Sequence, residues 1–244
     1  LRVLDVNPAL GVQPPTSGEE REQAALFPVE VVTLLSCPAI PHARRRVYWV
    51  AIYTAMRRSE LARLHAEDVD LKHGIIRVRG RKTSAAKRQV PIEPALRPLL
   101  VALLRARPSG PLLDVPRADG KGGASDLMKR DLERAGLTRE DLFRDDADHQ
   151  PFTFHGLRHT GITHWAVAGR DARWLQLVAG HTSPEMTMRY LDKAAVVRGQ
   201  FGTPHPTLPP DVMTDILADL GGVEAPSEFR EVALPEVTAS ASAP

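Results

Sequence analysis

Three short, partly β-branched runs lie close together in the middle of this chain: 68–72 (DVDLK), 74–80 (GIIRVRG) and 87–92 (KRQVPI). The residues between them are few and turn-like. They leave room for hairpins and not for crossovers, so the runs read as a small three-stranded antiparallel sheet. RKTSAA (81–86) is then the tip of the second hairpin. Everything around this sheet carries helix signals. A short helix is expected over 26–35, with Pro28 near its start. Residues 43–56 hold Val47, Val50, Ala51 and Thr54 at helical spacing. Ser59 is placed to cap the next helix, with Glu60, Leu61 and Leu64 following. Beyond the sheet, helices are expected at about 94–106, 124–135 and 155–168, and 108–150 is otherwise loop-rich. Asp171 opens another helix with Trp174, Leu175, Leu177 and Val178 as its buried stripe, and Gly180 stops it. Ser183, Pro184 and Glu185 supply an N-cap, an N1 proline and a first-turn acid for a short helix with Tyr190 near its end. The fold class is α+β, mostly helical.

A chain of 244 residues has room for one ordinary domain plus extensions. Residues 1–22 (through NPALGVQPPTSGEE) read as an interdomain linker, 23–202 as the folded body and 203–244 as an acidic, Pro-rich tail. Within the tail TPHPTLPP breaks regular structure. Val212, Ile216, Leu217 and Leu220 then mark a short amphipathic helix at about 211–220, able to dock on its own body or on a neighbour. The final VTASASAP has the composition of a disordered end. The first residue is Leu, so the chain is expected to be a piece of something longer. No apolar run approaches the roughly 18 residues of a membrane span, and no signal-peptide pattern opens the chain. A single cysteine, Cys37, excludes an internal disulfide and suits a reducing cytoplasm. The net charge is only +2, but it is unevenly placed. The tail holds Arg230 against seven acids, which leaves 31 basic and 23 acidic residues on 1–202. A basic body suits a polyanion, although a solvated basic face is the commoner cause.

The chemistry-bearing residues converge near the end of the body. HGLRH (155–159) puts two imidazoles around a guanidinium, and Tyr190 follows His181 by nine positions. Arg57 and Lys82 lie upstream. Such a set suits attack on a phosphodiester without a metal. A phenol can be the nucleophile, guanidinium forks can hold a pentavalent phosphorane, and lysine or histidine can move protons. The plain alternative for Tyr190 is a ring buried by an amphipathic helix. A metal site is the rival for His155 and His159, which are spaced i, i+4 with His181 as a third ligand. However, the run is not HExxH, and an arginine between two ligands disfavours a cation, so no metal or other cofactor is expected.

Four ordered pieces resemble the catalytic domain of the tyrosine recombinases, the phage integrase family, across roughly residues 25–200: TAMRRSEL (54–61), RKT (81–83), HGLRH, and AGH with Tyr190 nine residues later. The resemblance implies a mostly helical bundle with a small three-stranded sheet. It also implies a site-specific recombinase that cleaves and rejoins DNA through a 3′-phosphotyrosine, with no metal and no ATP. Tyr190 would be the nucleophile. Arg57 and Arg158 would clamp the nonbridging oxygens, with Glu60 bracing Arg57. Lys82 would protonate the departing 5′-oxygen, while Arg81, Lys87 and Arg88 share its loop as solvated charges. His181 would donate to a nonbridging oxygen, and His155 would either accept the tyrosine proton or donate to phosphate. His159 reads as a supporting, structural residue, and His164 has no assigned role. The implied partners are double-stranded DNA, other copies of the chain in a tetramer with the 211–220 helix as a contact, and accessory DNA-bending factors. The expected location is cytoplasmic, at the nucleoid. An N-terminal DNA-binding domain is expected upstream of the linker. Two other activities share these residues: a DNA-binding module of the same fold without catalysis, and type IB topoisomerase-like relaxation. One departure is Ala55, where the family usually has Gly; Ala fits the turn only if its φ stays negative.

Overall fold

A computed structural model of the protein describes residues 21–79, 88–117 and 123–220. After strand β1 (Glu22–Gln23) come helices α1 (Pro28–Ser36), α2 (His42–Thr54) and α3 (Arg58–Leu61). Strands β2 (Val69–Asp70), β3 (Ile75–Val78) and β4 (Arg88–Pro91) form an antiparallel sheet in that order. Ile76 faces both Val69 and Val90 across it, and Ile76 and Val90 are fully buried. The expected three-stranded sheet is therefore present, while the hairpin tip at 81–86 lies outside the described residues. Helices α4 (Arg97–Ala106) and α5 (Ala124–Arg134) follow, then strand β5 (His149–Gln150). The chain closes with α6 (Phe154–Val167), α7 (Ala172–Ala179), α8 (Pro184–Val197) and α9 (Pro210–Leu217).

The core forms where α2 crosses α6. From Arg45 to Thr54 every residue of α2 is buried, because the helix is enclosed on all sides. Gly161 sets the depth of the crossing. A Cβ there would stand 2.1 Å from the Ile52 carbonyl oxygen, so only a residue without a side chain lets the two backbones meet. Gly156 makes room for the Phe152 ring, which a Cβ there would meet at 2.7 Å. Buried polar groups tie the segments before α1 and after α8 to α6. Thr160 Oγ1 accepts from the Leu26 backbone N–H, and His164 Nδ1 accepts from the His205 N–H, at 2.8 Å. His164 Nε2 is therefore the protonated nitrogen and donates to Leu26 O at 3.0 Å. This gives His164 a structural role.

The structure departs from the sequence reading in several places. Residues 21–23 are part of the fold: β1 pairs in parallel with β5, Glu22 opposite His149 and Gln23 opposite Gln150. The rest of the expected linker, 1–20, lies outside the described residues. Ser59 does not cap α3. The helix starts two residues earlier, with Arg57 as its N-cap residue and the Glu60 carboxylate accepting the Arg57 N–H at 2.8 Å. Leu177 is 54% exposed, since two positions from Leu175 on a helix turns it to the opposite face; the inward residues are Leu175, Val178 and Ala179. Asp171 does cap α7, accepting from Trp174 N–H, and Gly180 ends it in the left-handed conformation with φ 69°. Tyr190 sits at the middle of α8 and not near its end, because no glycine or proline interrupts the chain until Gly199. The tail helix α9 packs in cis. Ile216 and Leu217 are buried, Asp215 pairs with Arg45 at 2.7 Å, and Arg46 binds both the Ile216 carbonyl and Asp219. The apolar stripe that could have faced a neighbouring copy is thus used against α2.

Candidate active site

The C-terminal end of α7 is a converging point for three arginines. Helix ends leave carbonyls without intrahelical partners and carry partial negative charge. Here Arg88 Nε donates to Val178 O at 2.6 Å, Arg158 to Ala179 O at 2.7 Å, and Arg57 to Gly180 O at 3.0 Å. Gly180 leaves room for this, since a Cβ there would lie 3.1 Å from Arg88 Cδ. Arg158 also donates to Ala55 O at 2.5 Å. That carbonyl is aimed by an unusual backbone: Ala55 has φ 47° and ψ 28°, left-handed in spite of its side chain. The expectation of a negative φ is therefore wrong. The turn keeps its left-handed geometry, and alanine carries the strain.

Glu60 is the anionic centre of the cluster. Arg88 grips it with a two-pronged contact, 2.8 Å on each prong, and Arg57 donates to it from both its backbone and its guanidinium. Burial alone would raise the Glu60 carboxyl. The Arg88 fork and Arg57 outweigh it and hold the group at about 2, so Glu60 is a carboxylate at every ordinary pH. The bracing contact between Glu60 and Arg57 is thus present at 3.1 Å. Arg88, read from the sequence as a solvated loop charge, is instead buried and joins Glu60 to α7. Its partners lie 28 and 90 residues away, and no local signal could have shown them. The Arg57 side chain is 39% exposed, whereas Arg158 is buried. Burial, with Arg57 and Arg88 nearby, pulls Arg158 down to about 9, still charged at neutral pH.

Two imidazoles flank the phenol, and a third lies behind one of them. Tyr190 is half-buried, and its hydroxyl is hydrogen-bonded to His159 Nδ1. The His159 and His181 rings both lie nearly parallel to the phenol, each with a centroid separation of 5.7 Å. His155 is exposed and meets His159 edge-on at 4.8 Å. His181 is buried, with its Nδ1 2.9 Å from the hydroxyl of the buried Thr187. Burial pushes the Tyr190 phenol up to about 12, partly offset by Arg158 and Arg189. Burial and nearby cations push His181 down to about 4 and His159 to about 3, and lower His155 as well. All three histidines are neutral near pH 7, and the phenol keeps its proton. The arrangement can therefore offer fixed cations to an anion from Arg57 and Arg158, neutral ring N–H donors, and a hydroxyl nucleophile already in contact with a proton acceptor.

Of the residues singled out from the sequence, Arg57, Glu60, His155, Arg158, His159, His181 and Tyr190 are thus brought together. Lys82 lies outside the described residues. His159 and Arg88 carry more than the sequence assigned to them, and Thr187 was missed. Its signal was available: it lies one helical turn before Tyr190 on a face that also meets His181. Among the described residues, no group of three or more His, Cys, Asp or Glu side chains could hold a metal ion, and no helix is long and apolar enough to cross a membrane.

A model of the phage integrase family matches residues 28–196. The tyrosine recombinase XerC of Rhodospirillum centenum is 30% identical over 186 residues, covering 76% of this chain and 53% of that protein. XerA of Thermococcus kodakarensis is 35% identical over 174 residues, covering 68% and 57% respectively. The chain thus spans little more than half the length of these curated relatives. Among solved structures, the crystal structure of XerA recombinase superposes with a TM-score of 0.53 at 24% identity, covering 75% of this chain and 64% of that one. XerH bound to its difH substrate before cleavage gives 0.51 at 22% identity, covering 72% and 53%. These two likenesses are of fold.

Proposed function

This chain belongs to the phage integrase family of tyrosine recombinases, and from that premise we propose that it breaks and rejoins double-stranded DNA at a recombination site through a 3′-phosphotyrosine on Tyr190. The observation that carries the reading is the Tyr190 hydroxyl held among neutral histidines beside the buried Arg158, with Arg57 partly open to solvent. That setting suits a phosphodiester. Arg57 and Arg158 bind the nonbridging oxygens, and their forks are pre-aimed by Glu60 and by the end of α7. With the Thr187 hydroxyl donating to Nδ1, His181 carries its proton on Nε2 and donates it to one of those oxygens. His155, exposed at the start of α6, donates to phosphate. Tyr190 attacks phosphorus, and the 5′-oxygen leaves with a proton from Lys82, which belongs to the segment leading into Arg88. A 5′-hydroxyl then attacks the phosphotyrosine and reseals a strand. No external energy source is needed, because the phosphotyrosine conserves the bond. The partners in this reading are duplex DNA, further copies of the chain in a tetramer, and accessory DNA-bending proteins. The surplus positive charge on 1–202 favours the first of these.

The test is a nicked suicide duplex incubated with the protein in excess EDTA and resolved on a denaturing gel. A covalent adduct from the intact chain that disappears in Tyr190→Phe is expected. DNA binding without an adduct would support a non-catalytic DNA-binding module. Relaxation of supercoiled plasmid without strand exchange would support topoisomerase-like activity.

A further inference from the structure

We propose that His159, and not His155, removes the Tyr190 proton as the phenol attacks phosphorus and returns it when the strand is resealed. This rests on the recombinase reading above and assigns a residue to a step that reading leaves open. The contacts run in order: His155 meets His159 edge-on, and His159 Nδ1 meets the Tyr190 hydroxyl. The phenol holds its proton and His159 is neutral; in the tautomer that carries the ring hydrogen on Nε2, the one this proposal uses, the hydroxyl donates and Nδ1 accepts. The acceptor is thus in hydrogen-bond contact with the proton to be moved, the first requirement of a general base.

The balance of the step is simple. As the Tyr190 oxygen bonds to phosphorus, its proton passes to His159 Nδ1 and the P–O5′ bond breaks; the leaving 5′-oxygen takes its proton from the separate acid. In resealing, the imidazolium gives the proton back to the departing phenol. His159 is a weak base in the resting protein because of burial first, and then because His155, Arg158, Lys193 and His181 raise the local positive potential. A bound phosphodiester brings negative charge to that cluster and opposes the second cause. The phenolic proton also becomes strongly acidic once its oxygen bonds to phosphorus. The transfer is therefore coupled to attack and does not precede it. His155 stays free to face phosphate from the exposed first turn of α6.

The experiment is single-turnover adduct formation by the full chain on the suicide duplex, with the thermal midpoint and DNA binding of each variant measured alongside. His159→Asn keeps a polar atom near the Nδ1 position but cannot carry the proton. A loss of about 100-fold or more is expected in both His159→Asn and His159→Ala, within the usual range for a lost general base, with partial recovery of the alanine variant by added imidazole. A 5′-bridging phosphorothiolate should not rescue either variant, since it relieves the other end of the reaction. Fluorinated tyrosine at position 190, whose phenol is more acidic, should speed the variants more than the wild type. That comparison is internal to each variant and survives partial loss of stability. Wild-type-like cleavage by His159→Asn, or rescue by the phosphorothiolate, would overturn the assignment. Absence of an adduct from the wild-type chain itself would instead remove the recombinase reading on which it rests.

Discussion

Helices α6 and α8 both bring residues to the same cluster, yet they are anchored in opposite ways. In α6, which carries His155, Arg158 and His159, twelve of fourteen residues are buried; in α8, which carries Tyr190, only Thr187 and Ala194 are. Stability is not uniform in such a molecule, and helices with few buried contacts open most easily. Arg158, one arm of the proposed cationic clamp, therefore sits on the more deeply buried of the two helices. The proposed nucleophile rides on the helix that buries fewer of its residues. A clamp must be pre-aimed, because its value lies in fixed charge. A nucleophile must approach phosphorus, and then let go.

The largest effect should come from filling the α2–α6 crossing. Gly161→Ala puts a methyl 2.1 Å from a backbone oxygen that has no rotamer to change, so the helices must separate. Overpacking of this kind costs about 1–3 kcal/mol or more. A lowered thermal midpoint is expected, together with loss of the Arg158 contact to Ala55 O and of DNA cleavage. An equivalent insertion on α8, Val196→Leu, changes an exposed position and should leave both unchanged. Equal damage at the two sites would erase the contrast between the helices.

Acid should reach the buried histidines before Glu60. His164 on α6 must be neutral at Nδ1 to accept from His205, and burial pulls its pKa down to about 4; His205 is lowered too. A histidine whose folded pKa lies below the unfolded value of about 6.5 binds more protons when unfolded. Its stabilisation is complete above pH 6.5 and is lost as pH falls toward 4. The thermal midpoint should therefore drop across pH 6.5 to 4. That window lies above the one for Glu60, whose folded value near 2 means its stabilisation is lost only below the ordinary carboxylate range. A midpoint independent of pH between 7 and 4.5 would count against a buried neutral His164. His164→Gln should flatten the slope.

Thr187 tests the lighter anchoring of α8. Replacing it with valine preserves shape and removes the hydroxyl at His181 Nδ1. The stability change should be about 1 kcal/mol. Adduct formation should fall further than that figure implies, because His181 is then free to place its proton on Nδ1 and present a bare Nε2 to the phosphate. Thr187→Ser should restore most of the rate. If valine and serine behave alike, the hydroxyl does not set the His181 tautomer.

What the sequence makes legible follows the range of the interaction. The β2–β3–β4 meander, the Asp171 cap and the Gly180 stop are local, and each is written in a few adjacent residues. HGLRH and the AGH–Tyr190 spacing mark the site for the same reason. The pairing of β1 with β5 is a two-residue contact between segments over a hundred positions apart, with no periodicity to announce it. Arg88 looks like one more charge beside a hairpin tip until Glu60 and Val178 are seen around it. His159 looked structural because helical spacing shows which residues share a face, not which nitrogen meets a hydroxyl on another helix.

Ala55 gives the smallest predicted change. The left-handed conformation costs a non-glycine residue about 1–2 kcal/mol, which Ala55→Gly would relieve. Against this, glycine adds about 0.4–1 kcal/mol of unfolded-chain entropy. The substitution also removes a fully buried methyl worth about 0.8 kcal/mol. The opposing effects nearly cancel, so alanine stands at this turn at almost no net cost. Ala55→Gly should leave the thermal midpoint within about 2–4 °C, a change of no more than about 1 kcal/mol for a domain of this size, with cleavage unchanged. A β-branched residue receives no such balance: Ala55→Val should be destabilising, since it adds bulk at a buried left-handed position. A large gain in stability from glycine would mean that the strain at Ala55 exceeds what its buried methyl contributes. The Arg158 contact would then rest on a turn whose strain is not offset.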